Sequence, residues 1–135
     1  MTVLVVDGQG GRLGKQLVKE VRTRFPQLPL MAVGTNSMAT ESMLKAGADR
    51  AATGENAVVV ACRKADVIIG PVGIVIADAL LGEVTPAMAK AVGQSEAIRI
   101  LLPSDKCDTF IAGVGGQSMN DLIADAMKKL EELLH

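Results

Sequence analysis

Eight residues near the start of the chain, Asp7-Gly8-Gln9-Gly10-Gly11-Arg12-Leu13-Gly14, have the types and spacing best suited to chemistry. Their glycines fill the first, fourth and seventh places of a G-x-x-G-x-x-G pattern. Gly8 permits a sharp turn out of a strand, Gly11 removes a side chain where a pyrophosphate would approach the backbone, and Gly14 lets a following helix lie close to a sheet. The first N–H groups of such a helix lack partners and carry partial positive charge, so they favour a phosphate there without a lysine. The plain structural alternative is a tight turn with close helix packing, which needs glycines even when nothing binds. Asp7 would repel a neighbouring phosphate unless paired. Its structural reading is a side chain bonded to the turn's own N–H groups, and its functional reading is an acceptor for a sugar.

The turn needs a strand before it and a helix after it, and the flanking residues supply both. Val3 to Val6 is an unbroken apolar run, the pattern of a strand buried on both faces of a parallel sheet. Leu13, Leu17, Val18, Val21 and Phe25 recur at helical spacing until Pro26 stops the helix. A second strand is predicted over Leu30 to Val33, then a short helix through Met43 and Leu44 ending at Gly47, and a weak third strand near Ala51. Asn56 is the predicted cap of a helix reaching about Lys64. Asp66 to Gly70 follows as an interior strand. Gly73 to Leu81 and Thr85 to Val92 read as helices, the second with Thr85 as its cap and Pro86 at its first position. Ile98 to Leu102 reads as a fifth strand and Phe110 to Val114 as a sixth. The gap between these two is too short for a parallel crossover, so an antiparallel hairpin is expected. Ser118 and Asp121 open a last helix with an apolar stripe through Leu122, Ile123, Ala126, Met127, Leu130 and Leu134.

Repeated βα units joined by right-handed crossovers place helices on both sides of a sheet. The expected fold class is therefore α/β: a Rossmann-like three-layer sandwich with a mostly parallel sheet of about six strands and a C-terminal antiparallel strand. With 135 residues and no internal repeat or linker, residues 1–135 read as a single domain.

Composition removes several function classes. The chain is 49% apolar and 21% charged, which argues for folding rather than disorder. A formal net charge of −1, with basic residues scattered among acids, leaves no footprint for nucleic acid, and the lack of Trp and Tyr removes base-stacking platforms. The longest apolar stretch, Val72 to Leu81, contains Asp78 and is too short to cross a bilayer, so no membrane partner is expected. The N-terminal run reads as a strand rather than a signal peptide. Cys62 and Cys107 form neither a CxxC pair nor a metal cluster, so no metal site is expected and a cytoplasmic setting fits.

Ligands of open α/β sheets sit beyond the carboxyl ends of the strands. Following each strand outward collects Gln9, then Gly34 with Thr35 and Asn36, then Thr53, Glu55 and Asn56, then Gly70-Pro71-Val72-Gly73, and finally Ser104 to Cys107. Turn and cap duties alone also account for these residue types. The expected cofactor-binding set is Asp7 through Gly14, Gly34 to Asn36 and Gly70 to Gly73. The end of the second strand carries no carboxylate, which argues against ordinary NAD recognition. Its hydroxyl and amide groups, with Arg12 nearby, suit a 2′-phosphate or a plain mononucleotide. Glu41 reads as a solvated acid at a helix start. Glu55, Asp105 and Cys107 are the candidate catalytic groups, with Lys106 beside Cys107 favouring its thiolate. Cys62 reads as core, and His135 is the last residue, a poor place for catalysis.

The stretch Val3 to Val18 resembles the opening of extended and atypical short-chain dehydrogenase/reductases, which bind NAD(P) through such a turn. The resemblance implies a nucleotide site only, because the Tyr-x-x-x-Lys relay of those enzymes is absent from a chain with no tyrosine. The whole chain, from Asp7-Gly8-Gln9-Gly10-Gly11 through Gly34-Thr35-Asn36, Ala52-Thr53-Gly54-Glu55-Asn56 and Gly70-Pro71-Val72-Gly73, also resembles a family of short bacterial proteins of unassigned function. The resulting expectation is a nucleotide-binding accessory or regulatory module, with NAD(P)-type ligands in view and NADP or a mononucleotide ahead of NAD. The alternative is a small NAD(P)-dependent oxidoreductase completed by a second subunit. A homodimer is expected to cover an apolar face made by the methionines with Ile74, Ile76, Leu80 and Leu81.

Overall fold

The computed structural model describes residues 1–104 and 108–135. Five strands form one sheet: β1 (Val3–Asp7), β2 (Leu30–Gly34), β3 (Arg50–Thr53), β4 (Val67–Pro71) and β5 (Ile98–Leu102). Every pairing is parallel and the order is β3-β2-β1-β4-β5, the order of the first five strands of a dinucleotide-binding sheet. Five helices complete the described chain: α1 (Arg12–Arg24), α2 (Ser37–Ala46), α3 (Glu55–Lys64), α4 (Pro86–Gln94) and α5 (Met119–Leu134).

The alternation of side chains along β1 builds two cores. Val3 and Val5 point into one with Leu17, Val21, Met43, Met127 and Leu130. Leu4 and Val6 point into the other with Val58, Cys62, Met88 and Val92. A central strand covered on both faces must be apolar at every position, which explains the unbroken run. In register, Asp7 lies beside Gly34, and Gly34 beside Thr53, so the carboxyl ends of β1, β2 and β3 are level.

Local signals explain most element ends. Thr85 accepts the N–H of Met88 and caps α4 ahead of Pro86, and Ser118 and Asp121 form a reciprocal capping box on α5. Gly47 closes α2.

Four expectations need correction. Phe110 to Val114 forms no strand, so among the described residues the sheet has five strands and no antiparallel member. The run is broken by Gly113 at φ +86° and by a turn from the Val114 N–H to the Ile111 carbonyl. Gly73 to Leu81 is not a helix: a single 3₁₀ turn, Val72–Val75, gives way to tight turns because Asp78, Leu80 and Leu81 adopt positive φ. Asn56 does not cap α3, which begins one residue earlier after Gly54 with no side-chain cap. The proposed uncovered apolar face is divided: Ile74, Leu80, Met31, Met43, Met88 and Met127 are buried and Ile76 is half-buried, while Met1, Met38, Met119 and Leu81 are exposed. Among the described residues no helix is long and apolar enough to cross a membrane.

Candidate functional site

Asp7 ends β1 with its side chain only 5% exposed, and its two oxygens organise the glycine turn. Oδ1 accepts the N–H of Gly8 at 2.8 Å and Oδ2 accepts the N–H of Gly14 at 2.7 Å. The residue before α1 is Gly11, which has no side chain to cap the helix, so Asp7 performs that duty from the strand. The Gly11 N–H closes the turn onto the Gly8 carbonyl at 2.9 Å.

The glycines divide by what surrounds them. Gly11 has φ +72°, and a Cβ there would lie 2.7 Å from the Ala39 Cα, so it is required by the turn and by α2. A Cβ on Gly14 would meet Asp7 and the Met43 sulfur. Gly34 and Gly70 are likewise packed against Thr40 and against the Val6 carbonyl. Gly10 alone of the turn's glycines faces open space, with only the Arg12 Cγ at 3.9 Å. Gly11, expected to leave space beside the backbone, is instead packed against α2, and the open position of the turn is Gly10.

A cavity of about 300 Å³ opens along this turn, lined by Asp7 to Leu13 with Gln16, Pro71, Leu80, Ser104 and Met119. Gly10, Arg12 and Leu13 line it, and their backbone N–H groups have no acceptor among the described residues. A larger cleft of about 650 Å³ between α3 and α4 includes Cys62, Arg63, Ala65, Asp66, Ser95 and Ala97. It sits at the amino ends of β4 and β5, opposite the edge where open α/β sheets bind ligands. Burial pushes the Cys62 thiol there up to about 11.

The end of β2 holds a carboxylate after all, supplied from a distant segment. Glu83 Oε1 accepts the Gln9 N–H at 2.8 Å, the Thr35 hydroxyl at 2.7 Å and the Asn36 side-chain amide at 2.8 Å. Burial alone would raise the Glu83 carboxyl, but hydrogen bonds from Thr35, Gln9 and Asn36 outweigh it and hold the group below its ordinary value. The Thr35 hydroxyl and the Asn36 amide, expected to be open to a 2′-phosphate, already donate to the Glu83 carboxylate. Asn36 also caps α2 through the Ala39 N–H and donates to the Gln9 carbonyl. Glu83 could not be found from the sequence, because it fell in the short gap between the helices expected over Gly73 to Leu81 and Thr85 to Val92 and its partners lie 74, 48 and 47 residues away.

Among the described residues the remaining candidates do not gather into a catalytic set. Glu55 accepts the Thr85 hydroxyl at 2.6 Å, a link between the starts of α3 and α4. Thr53 shares a 2.7 Å hydrogen bond with Thr40. Pro71 lines the cavity, whereas Val72 and Gly73 belong to the 3₁₀ turn, with Gly73 buried. Glu41 is exposed and pairs with Lys45, whose hydrogen bond and charge lower its carboxyl. Asp105 and Cys107 lie outside the described residues. Among the described residues no group of three or more His, Cys, Asp or Glu is placed to hold a metal.

A family model described as a domain of unknown function (DUF3842) matches residues 2–135. That match accords with the resemblance to a family of unassigned function and lends nothing to the one with short-chain dehydrogenases. Among solved structures, a dodecameric FMN-dependent UbiX-like decarboxylase from Escherichia coli O157:H7 is similar at 18% identity, over 96% of this chain and 75% of that chain, with a TM-score of 0.49. Similarity at that level carries no argument about ligand or activity. No curated protein matches the chain.

Proposed function

We propose that this chain, which belongs to the DUF3842 family of unknown function, is a nucleotide-binding module that receives the phosphate of a mononucleotide-sized ligand at the start of α1. The observation that carries this reading is the set of unaccepted N–H groups on Gly10, Arg12 and Leu13 along the 300 Å³ cavity. Backbone donors at a helix start, reinforced by the helix dipole and the exposed Arg12 side chain, favour an anion.

Two features favour a mononucleotide over an NAD(P)-type dinucleotide. Small-molecule sites span about 300–1,000 Å³, so this cavity lies at the lower bound. Leu80 is buried against the turn, with its Cδ1 2.7 Å from where a Gly8 Cβ would be, and Glu83 narrows the β2 side by accepting the Thr35 hydroxyl. An accessory or regulatory role is favoured over catalysis because, among the described residues, Asp7, Glu55 and Glu83 are engaged in structural hydrogen bonds. A homodimer belongs to the same proposal, with exposed Leu81 and Phe110 as surface for a second copy, and sedimentation of the purified chain measures it.

The test is a thermal-shift and calorimetry panel with 5′-AMP, FMN, NAD, NADP and inorganic phosphate on the native chain and on Gly10→Glu. That variant places a carboxylate at the turn where space is open. A saturable rise in midpoint with 5′-AMP or FMN, weakened at least tenfold by Gly10→Glu with the unliganded midpoint unchanged, is expected. Indifference of the native protein to all five compounds would overturn the reading.

A further inference from the structure

We propose that Glu83 is a specificity-determining residue: a built-in anion between the ends of β1 and β2 that admits ligand hydroxyls on that side and rejects a second phosphate. This inference rests on the nucleotide reading and names the class of nucleotide, a 5′-phosphate with unsubstituted ribose hydroxyls.

The carboxylate is held from both ends. At its tip, Oε1 takes donors from Gln9, Thr35 and Asn36, which belong to the glycine turn and to the segment after β2. At its base, the Asp78 N–H reaches the Val84 carbonyl at 2.7 Å, and the Glu83 and Val84 N–H groups reach Leu80 and Ala79 at 3.2 Å each. Leu80 and Val84, 7% and 1% exposed, anchor this closed loop in the core on either side of Glu83. Asp78, Leu80 and Leu81 have φ of 67°, 58° and 56°, conformations that non-glycine residues keep only where their surroundings dictate them. A side chain fixed this firmly keeps its charge at one place beside the glycine turn.

Glu83 stands directly behind the cavity wall formed by Gly8 and Gln9. Gly8 lines the cavity, and a Cβ on Gly8 would stand 3.1 Å from Glu83 Oε1. Oε2 has no partner among the described residues, so it remains an acceptor for a donor brought by the ligand. A hydroxyl can donate to it. A phosphate brings only acceptors and like charge, and the Thr35 and Asn36 donors that would welcome it already serve Oε1.

The experiment compares 5′-AMP with adenosine 2′,5′-bisphosphate by calorimetry on the native chain, on Glu83→Gln and on Glu83→Ala. The glutamine amide oxygen can keep the three accepted bonds while the charge is removed. In the native protein the bisphosphate is expected to bind at least tenfold more weakly than 5′-AMP. In Glu83→Gln the two should come within threefold, because the amide NH2 in the place of Oε2 neither repels a phosphate nor accepts a hydroxyl, so the bisphosphate gains while 5′-AMP loses an acceptor; Glu83→Ala gives the same comparison if the first variant does not fold. Equal affinities in the native chain, or a ratio that neither variant moves, overturns the role of Glu83 while leaving the nucleotide site standing. Failure of 5′-AMP and of every other compound in the panel overturns the nucleotide reading, and the proposal for Glu83 with it.

Discussion

Asp7 Oδ2 lies 2.7 Å from the Gly14 nitrogen, so the third residue of α1 is capped by the end of the strand rather than by the residue before the helix. The same carboxylate holds the Gly8 N–H, and one side chain thereby ties the exit of β1 to the entry of α1. Asp7→Asn keeps the shape but turns an amide N–H₂ against one of these donors. It is expected to lose about 1–3 kcal/mol in urea unfolding, the cost of leaving a buried donor unsatisfied. Asp7→Ala orphans both N–H groups and should lose more. An unfolding midpoint unmoved by Asp7→Asn would show that the cap contributes nothing.

Gly10 and Gly11 are adjacent, yet their alanine variants should separate sharply. Gly11→Ala forces a left-handed residue, at about 1–2 kcal/mol, and also drives a Cβ to 2.7 Å from the Ala39 Cα. Gly10→Ala meets nothing closer than 3.9 Å and should stay within about 0.5 kcal/mol of the native chain. Thermal denaturation of the pair measures this, and equal midpoints would contradict the division of the turn into a packed and an open glycine.

The contrast between these neighbours marks how far the sequence could be read. The strand, turn and helix from Val3 to Phe25 were legible because burial on both faces of a sheet and on one face of a helix imposes periods of hydrophobicity. Thr85, Ser118 and Gly47 were legible because caps are local. Glu83 was not, since its donors are fixed only when the chain folds back over tens of residues. The segment from Gly73 to Leu81 misled for a related reason: its apolar residues at helical spacing are buried by turns with positive φ, a tertiary outcome that overrides propensity. Phe110 to Val114 has strand-forming residues but pairs with no strand, and β-propensity without a pairing partner specifies little.

Glu83 should leave a pH signature in stability. Its folded carboxyl titrates below the ordinary value of 4.5, so the unfolded chain takes up the proton more readily. The contribution of the charged form is then fully present above that value and is lost as pH falls through the lower folded value. The stability difference between the native chain and Glu83→Gln is expected to be constant from pH 7 to pH 6 and to shrink as acid is added below about 4.5. Urea titrations across that range measure it, and a difference that grows on acidification would reverse the assigned direction.

Cys62 provides a test of the choice between the two cavities. It lines the larger cleft, and a nucleophile there would shift attention from the glycine turn to the amino ends of the strands. Its side chain is 4% exposed, and burial pushes the thiol up to about 11, so at pH 8 only about one molecule in a thousand carries the thiolate, against roughly a quarter for an ordinary cysteine. Since the thiolate is the reactive form, iodoacetamide should label the Cys62 peptide at least a hundredfold more slowly in the folded chain than in urea, as followed by mass spectrometry. Rapid labelling of Cys62 in the folded protein would mean an activated thiol, and the larger cleft would then have the stronger claim to chemistry.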